Sequence, residues 1–231
     1  MLKIWEPDNF RRTLAGLCCF AAPATLLLTL LVHPGEGPDG LVATVAAEPG
    51  RIQAAALLTM LTAVLFVPAL VGILALLRER GVVLGHLAVA LTIVGAIGHA
   101  VFAGFQIVLS GALESGVDEA ELTAMVDRTP NAGFVVVLLT FLAGFFPGLL
   151  LLAIALWRSR TVPVWAPIGL VALVVTDFVP MAGGRLVAAL VPAFGVVCFG
   201  AIGLVLLRMS DHDWRVGVPR AEVRTQPVGK S

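Results

Sequence analysis

Residues 132–157 read AGFVVVLLTFLAGFFPGLLLLAIALW and contain no charged side chain. A hydrocarbon core about 30 Å thick is crossed by about 20 residues of α-helix at a rise of 1.5 Å per residue, so this stretch is long enough to span a bilayer. Transmembrane strands alternate apolar and polar residues, whereas the segment from Leu149 to Leu156 is apolar on every face. The stretch therefore predicts a spanning helix.

Five similar apolar segments accompany it, and the fifth along the chain is the shortest. The six predicted spanning helices cover about 13–32, 52–77, 82–109, 132–157, 164–181 and 186–207. We therefore expect an all-α fold, a polytopic transmembrane helical bundle of six spanning helices within residues 1–207. Residues 208–231 mix arginine with acidic residues and proline, a composition that predicts a disordered cytoplasmic tail.

The overall composition excludes a soluble globular domain. Hydrophobic residues make up 59% of the chain, charged residues only 13%, and the mean hydropathy is +1.00. Fifteen basic residues balance fifteen acidic ones. Because the net charge is zero, the protein has no overall electrostatic field that attracts a polyanion. We therefore expect no nucleic acid as a partner. The expected partner is the lipid bilayer, with another membrane protein or a second copy of this chain left open.

The distribution of lysine and arginine predicts the orientation. With six spans, both termini lie on one side of the membrane, and twelve of the fifteen basic residues fall on that side. The exceptions are Arg51, Arg128 and Arg185. Basic residues are retained in the cytoplasm, so both termini are expected to be cytoplasmic. Abundant alanine, valine, leucine and glycine with Arg-x-Arg turns resembles small membrane proteins of high-GC bacteria. That compositional likeness implies the plasma membrane and no particular activity.

Two connections on the predicted outer side contain helix signals. The apolar segment from Leu41 to Ala47 predicts a short surface helix. Asp118 and Glu121 have the spacing of a capping box ahead of a second short helix. Residues 66–80 and 145–160 also resemble each other, and both a duplication and a shared leucine-rich composition explain this likeness.

One carboxylate lies within a predicted span. Asp177 is about thirteen residues into the fifth helix, and Arg185 opens the sixth after a short turn. An ionisable side chain at membrane depth costs at least about 2.5 kcal/mol unless it is paired or hydrated. Two interpretations remain open: a salt bridge that fixes the last hairpin, and a carboxylate that relays protons or binds substrate.

Further polar residues are predicted at similar depth. His99 and Gln106 share a face of the third helix because they are seven residues apart. Arg51 and Gln53 begin the second helix. We therefore predict a ligand pocket in the outer leaflet that draws on several helices. Its candidate ligand-binding residues are Asp177, Arg185, His99, Gln106, Arg51 and Gln53.

Several cofactor chemistries do not fit the spacing. Haem ligation by two histidines needs facing helices, but His86 and His99 lie on the same predicted helix. The chain has no HExxH, CxxC or GxSxG motif. Its cysteines, Cys18, Cys19 and Cys198, are expected to pack as small apolar residues. We therefore expect no metal and no cofactor, and no residue is assigned as catalytic.

Three functional hypotheses follow. In the first, the polar pocket binds a small amphipathic or ionic ligand, and the protein is a carrier, sensor or accessory subunit. The second is a structural partner of another membrane protein that assembles through glycine-rich faces. The third is an intramembrane enzyme on a lipid or isoprenoid substrate. The enzyme would use Asp177 as acid and His99 as base, within about 3 Å of each other or of a shared water.

Overall fold

The computed structural model describes residues 6–35, 40–79, 81–128, 132–177 and 184–216, and this part of the chain is all-helical. The helices are α1 (Pro7–Val32), α2 (Gly40–Ala47), α3 (Pro49–Leu77), α4 (Val82–Glu114), α5 (Glu119–Asp127), α6 (Ala132–Ser159), α7 (Trp165–Asp177), α8 (Gly184–Arg208) and α9 (Asp211–Val216). The predicted fold class, an all-α transmembrane helical bundle, is confirmed.

Five helices of the described chain are long and apolar enough to cross a membrane: α1, α3, α4, α6 and α8. The sixth, α7, has 13 residues and is apolar but shorter. At 1.5 Å per residue it extends about 20 Å, less than the hydrocarbon thickness. The remainder of the predicted fifth span, residues 178–181, lies outside the described residues.

The six apolar helices form a closed ring in chain order. Each packs against the next, and α8 returns to pack against α1. We call the end of the bundle where α1 begins and α8 ends the terminal end. The opposite end, where α1 ends at Val32 and α4 ends at Glu114, is the cap end.

Small residues allow the closest contacts between the helices. A Cβ atom at Gly98 would lie 2.8 Å from the backbone nitrogen of Phe141 in α6. At the α1–α8 contact, a Cβ atom on Gly203 would lie 2.6 Å from the carbonyl oxygen of Gly16. Transmembrane helices associate through such close packing because lipid provides no hydrophobic driving force between them.

The two short helices at the cap end confirm the sequence prediction. The Asp118 carboxylate accepts a hydrogen bond from the Glu121 backbone N–H at 3.3 Å and so caps α5. A small apolar cluster joins α2 and α5 to the ends of α3 and α4. Its buried members are Val42, Val45, Ile52, Leu109 and Leu122. Helices α2 and α5 are therefore packed against the bundle rather than solvated on all sides.

The segment 208–231, for which the composition predicts a disordered tail, begins with a short helix in its described part. Residues 211–216 form α9, and Ser210 accepts a hydrogen bond from the Asp213 backbone N–H at 3.0 Å. The Arg12 guanidinium reaches the Asp211 carboxylate at 2.8 Å and also donates to the Met209 carbonyl. Trp214 packs against the main core. Local capping and this ion pair order a segment whose composition alone suggests disorder. Residues 217–231 lie outside the description.

Candidate cavity between the helices

A cavity of about 550 Å³ lies inside the helix ring, and all six ring helices contribute to its lining. The terminal half of the bundle is closed by fully buried leucine and isoleucine side chains. Among them are Leu70, Ile73, Leu76, Leu156, Ile202 and Leu206. The volume of the cavity is within the range of about 300 to 1,000 Å³ that is usual for small-molecule sites. It is therefore the candidate functional site.

The cavity extends from the cap end toward the middle of the bundle. His33, which follows the last residue of α1, lies at its rim, and Pro23 lines it ten residues earlier on the same helix. Ten residues of helix correspond to a depth of about 15 Å. Pro23 and Pro192 both lie inside helices and line the space. Proline removes one backbone hydrogen bond and prevents straight, close packing, which helps to keep the helices apart here.

Phenylalanine rings form the deep part of the lining. Phe66 of α3 meets Phe145 of α6 at a centroid distance of 5.9 Å, and Phe199 of α8 at 5.5 Å, both edge to face. Phe141 and Phe146 extend this surface along α6, with their own centroids 5.6 Å apart. Such perpendicular contacts are the preferred geometry of aromatic rings and hold each ring in place. The deep wall is thus aromatic and well ordered.

The polar groups lie on one side of the cavity only. The polar lining residues are Thr29, His33, Thr59, Thr62 and His99, which belong to α1, its C-cap, α3 and α4. The lining residues of α6, α7 and α8 are all apolar. No aspartate, glutamate, lysine or arginine is among the described lining residues. The described lining is therefore amphipathic, and its two imidazoles are its only titratable side chains.

The threonine hydroxyls can lie in this setting because they also bond to the helix backbone. The Thr59 hydroxyl donates to the Ala55 carbonyl at 3.0 Å, and the Thr29 hydroxyl to the Thr25 carbonyl at 3.0 Å. The hydroxyl oxygens of Thr62 and Thr25 are 2.8 Å apart, so they link α3 to α1. A hydroxyl bonded to a carbonyl four residues earlier keeps its lone pairs and can still accept a hydrogen bond.

His99 lies near the middle of α4, 17 residues from Val82 and 15 from Glu114. The span predicted for this helix ended at Leu109, whereas α4 continues for five more residues to Glu114, so His99 lies closer to the middle of the helix than the predicted bounds imply. The imidazole stacks on the Phe141 ring with centroids 4.5 Å apart and planes inclined by 24°. Within the described part of the chain, no group is hydrogen-bonded to its ring nitrogens. His99 thus brings an unsatisfied donor and acceptor to the wall of the cavity.

The other predicted site residues of α3 and α4 lie outside the cavity lining. The Gln53 amide donates to the Ser110 hydroxyl at 2.9 Å and to the Glu114 carboxylate at 2.8 Å, which pins α3 to α4 at the cap end. Arg51 pairs with Glu48 at 2.6 Å and donates to the Val32 carbonyl at 2.9 Å. Gln106 is buried in α4 with 8% of its surface exposed. Of these predicted residues, the structure brings only His99 to the cavity.

Asp177 is the last residue of α7 and Arg185 the second residue of α8. Their side chains lie outside the description, so the predicted ion pair and the predicted Asp177 to His99 contact stay predictions.

The aromatic lining was missed by the sequence analysis. Five phenylalanines are among the described lining residues. The available signal was the clustering of Phe141, Phe145 and Phe146 within six residues of a single span. Phenylalanine in a spanning helix serves lipid contact equally well, so the cluster alone does not indicate a cavity.

In the described residues, no three histidine, cysteine, aspartate or glutamate side chains converge as a metal site would require. Comparison with known proteins gives no family to which the chain can be assigned: no family model, no curated protein and no solved structure matches it.

Proposed function

We propose that the cavity binds a small amphipathic molecule and that the protein is a carrier or sensor of that molecule in the membrane. The observation that carries the proposal is the division of the cavity into a polar side and an aromatic side. Ligand sites are typically apolar clefts with a few convergent polar groups. An amphipathic ligand satisfies both sides, whereas a purely aliphatic one leaves His99 unpaired.

The lining favours an uncharged ligand over an ionic one. Burying a charge without a partner is strongly unfavourable in a membrane interior, and no charged side chain is among the described lining residues. The sequence hypothesis left amphipathic and ionic ligands equally open. The described lining supports the amphipathic alternative.

The orientation remains part of the proposal. We infer from the arginine distribution that the terminal end faces the cytoplasm and that the membrane is the plasma membrane. The cap end then faces outward, and the cavity lies in the outer half of the bilayer. Reporter fusions at both termini test this orientation, and activity of a periplasmic reporter at either terminus would contradict it.

The alternative of a purely structural partner receives less support. The glycines that permit the closest approach, such as Gly95, Gly144 and Gly203, contact helices of this same chain. They are therefore already used for internal packing. A structural partner also has no need for a cavity of this size.

The test is a comparison of cavity-filling variants with a lipid-facing control. Ala63 lines the cavity on α3, while the neighbouring Val64 is 65% exposed on the outside of the bundle. Ala63→Phe is expected to fill the cavity, and Val64→Phe to leave it open. Gly195→Leu is a second filling variant, because a Cβ atom there has no neighbour closer than 3.5 Å.

The readout is the temperature at which half of the detergent-solubilised protein loses its monodisperse elution peak. We use the amphipathic fluorophore 1-aminoanthracene as the probe. A ligand that binds only the folded protein stabilises it by about 2.7 kcal/mol at a hundredfold excess over its dissociation constant. Wild type and Val64→Phe should be stabilised by the probe, and both filling variants should not. Equal stabilisation of all four proteins would contradict the proposed function.

A further inference from the structure

We propose that the ligand of the cavity is a neutral, planar ring carrying an oxygen substituent, of the quinone or hydroquinone class, and that His99 donates a hydrogen bond to that oxygen. This inference rests on the proposed function and specifies its ligand. It concerns binding only and assigns no reaction to the site.

The imidazole of His99 has no hydrogen-bonding partner among the described residues. A neutral imidazole has one N–H donor and one nitrogen acceptor. The ring is only partly buried, so its nitrogens stay open to the contents of the cavity. None of the described residues supplies a partner, and the ring lies at the cavity wall. The partner therefore comes from the contents of the cavity, and a carbonyl or hydroxyl oxygen of a ligand can replace water there.

The surface beside that imidazole is formed by aromatic rings. His99 and Phe141 form a stacked pair, and Phe145 lies 5.9 Å from Phe141 by ring centroid. Phe66 and Phe199 close the deep part at steep angles to one another. Aromatic surfaces favour planar rings because offset stacking and edge contacts both stabilise beyond the burial of area. A flexible alkyl chain does not make these ring contacts.

The described lining also favours a neutral ligand and offers it a second hydrogen-bonding group. The described lining has no carboxylate and no basic side chain other than imidazole, so a phosphate or ammonium group has no counterion there. The hydroxyls of Thr59 and Thr62 lie on the same polar side and can accept from a ligand O–H. A ring with oxygens at opposite positions can satisfy both His99 and a threonine.

A matched pair of ligands tests the inference on the wild-type protein. Duroquinone and durene share the same tetramethylated six-membered ring, and only duroquinone carries carbonyl oxygens. Losing one hydrogen bond of about 1 to 1.5 kcal/mol corresponds to about a tenfold change in affinity. In the thermal assay, duroquinone should therefore give half-maximal stabilisation at about a tenfold lower concentration than durene. Equal concentrations for the two compounds would overturn the inference.

A variant assigns this difference to His99. His99→Phe keeps an aromatic ring on Phe141 and removes both ring nitrogens, so duroquinone should bind it about as weakly as durene does. His86→Phe is the control, because His86 is exposed near the terminal end and contacts its own Val82 carbonyl. If His99→Phe folds and still prefers duroquinone tenfold, the inference fails. If the variant does not fold, the ligand pair on wild type still decides.

Ligands with and without an alkyl chain distinguish two sources of such a ring, a lipid quinone and a small soluble molecule. Decylubiquinone carries a ten-carbon chain that duroquinone lacks. Tighter binding of decylubiquinone indicates a lipid quinone, and equal binding indicates a small soluble ring; both results support an oxygenated ring. Stabilisation by 1-aminoanthracene without any preference for duroquinone over durene overturns this inference but leaves the proposed function intact.

Discussion

Gly95 of α4 and Gly144 of α6 touch backbone to backbone at the crossing of these helices. A Cβ atom at Gly144 would lie 2.6 Å from the backbone nitrogen of Gly95, and one at Gly95 would lie 2.7 Å from the carbonyl carbon of Gly144. Both atoms belong to rigid helix backbone, so neither can move aside as a side chain does. This crossing fixes the position of α6, which carries three of the phenylalanines that line the cavity.

Gly95→Ala should therefore destabilise the bundle by about 1 to 3 kcal/mol through overpacking. The matched control is Gly111→Ala in the same helix, where a Cβ atom has no neighbour within 4 Å. The measurement is the free energy of unfolding in mixed micelles. Equal effects of the two substitutions would show that the backbone contact does not hold α4 against α6.

The hydroxyl contact between Thr25 and Thr62 predicts a small coupling between α1 and α3. Their oxygens are 2.8 Å apart. Interhelical hydrogen bonds of this kind contribute about 0.6 kcal/mol on average, because the unfolded chain in the membrane also finds partners. A double-mutant cycle with Thr25→Val, Thr62→Val and both together should give a coupling of this size. Additive single effects would mean that the contact contributes nothing to stability.

The ion pair of Arg12 with Asp211 should hold α9 against the terminal end of the bundle. The Arg12 side chain is 13% exposed and that of Asp211 50% exposed. Because Asp211 is half in solvent, we expect about 1 kcal/mol, which corresponds to about a fivefold change in local opening. Asp211→Asn should speed tryptic cleavage after Arg208 by that factor. His212→Asn, at an exposed neighbour in α9, is the control. Unchanged cleavage in Asp211→Asn would show that the other contacts of this segment hold α9 without the ion pair.

Much of the fold was predictable because the apolar length of a segment is a local property of the sequence. The five long helices and the Asp118 cap of α5 follow from such local patterns. The ends of the helices were less predictable, since α4 continues past Leu109 through the polar Ser110 and ends at the charged Glu114. Ser110 and Glu114 accept hydrogen bonds from Gln53 in α3. No local pattern in the sequence reveals this tertiary contact.

The candidate site was predictable only in part, for a related reason. Sequence reasoning found His99 because an ionisable residue in a span stands out against its neighbours. It did not find the aromatic wall, since Phe66, Phe145 and Phe199 are ordinary residues for a membrane helix. Which face of a helix turns inward is decided by packing against the other helices. The cavity is therefore a property of the assembled ring.

The predicted pair of Asp177 and Arg185 can be tested by neutralising each charge. If the pair serves only to fix the last hairpin, Asp177→Asn and Arg185→Gln should each lower the yield of folded protein. A charge left unpaired at membrane depth costs at least about 2.5 kcal/mol. The double variant should then recover part of the yield, because neither charge remains. A double variant that folds no better than the worse single variant would argue against the pairing.

Cysteine labelling should report how tightly α7 is held against α8. Cys18, Cys19 and Cys198 are buried, with 4%, 0% and 0% of their surfaces exposed. None should react with maleimide in the folded protein, because the thiolate must be reachable to react. At Gly169 of α7, an added Cβ atom would collide with the Cys198 sulfur and would lie 3.0 Å from the Phe194 ring. Gly169→Ala must therefore displace the Cys198 side chain or push the two helices apart.

In a background carrying Cys18→Ala and Cys19→Ala, Gly169→Ala should therefore make Cys198 accessible and raise its labelling rate several-fold. Gly195→Ala is the matched control in α8, because its Cβ atom finds ordinary contact distances of 3.5 Å and more. Its labelling should remain at the background rate. If Gly169→Ala leaves Cys198 as unreactive as the control does, α7 has enough freedom to absorb a methyl group. The wall that α7 gives to the cavity would then be adaptable rather than fixed.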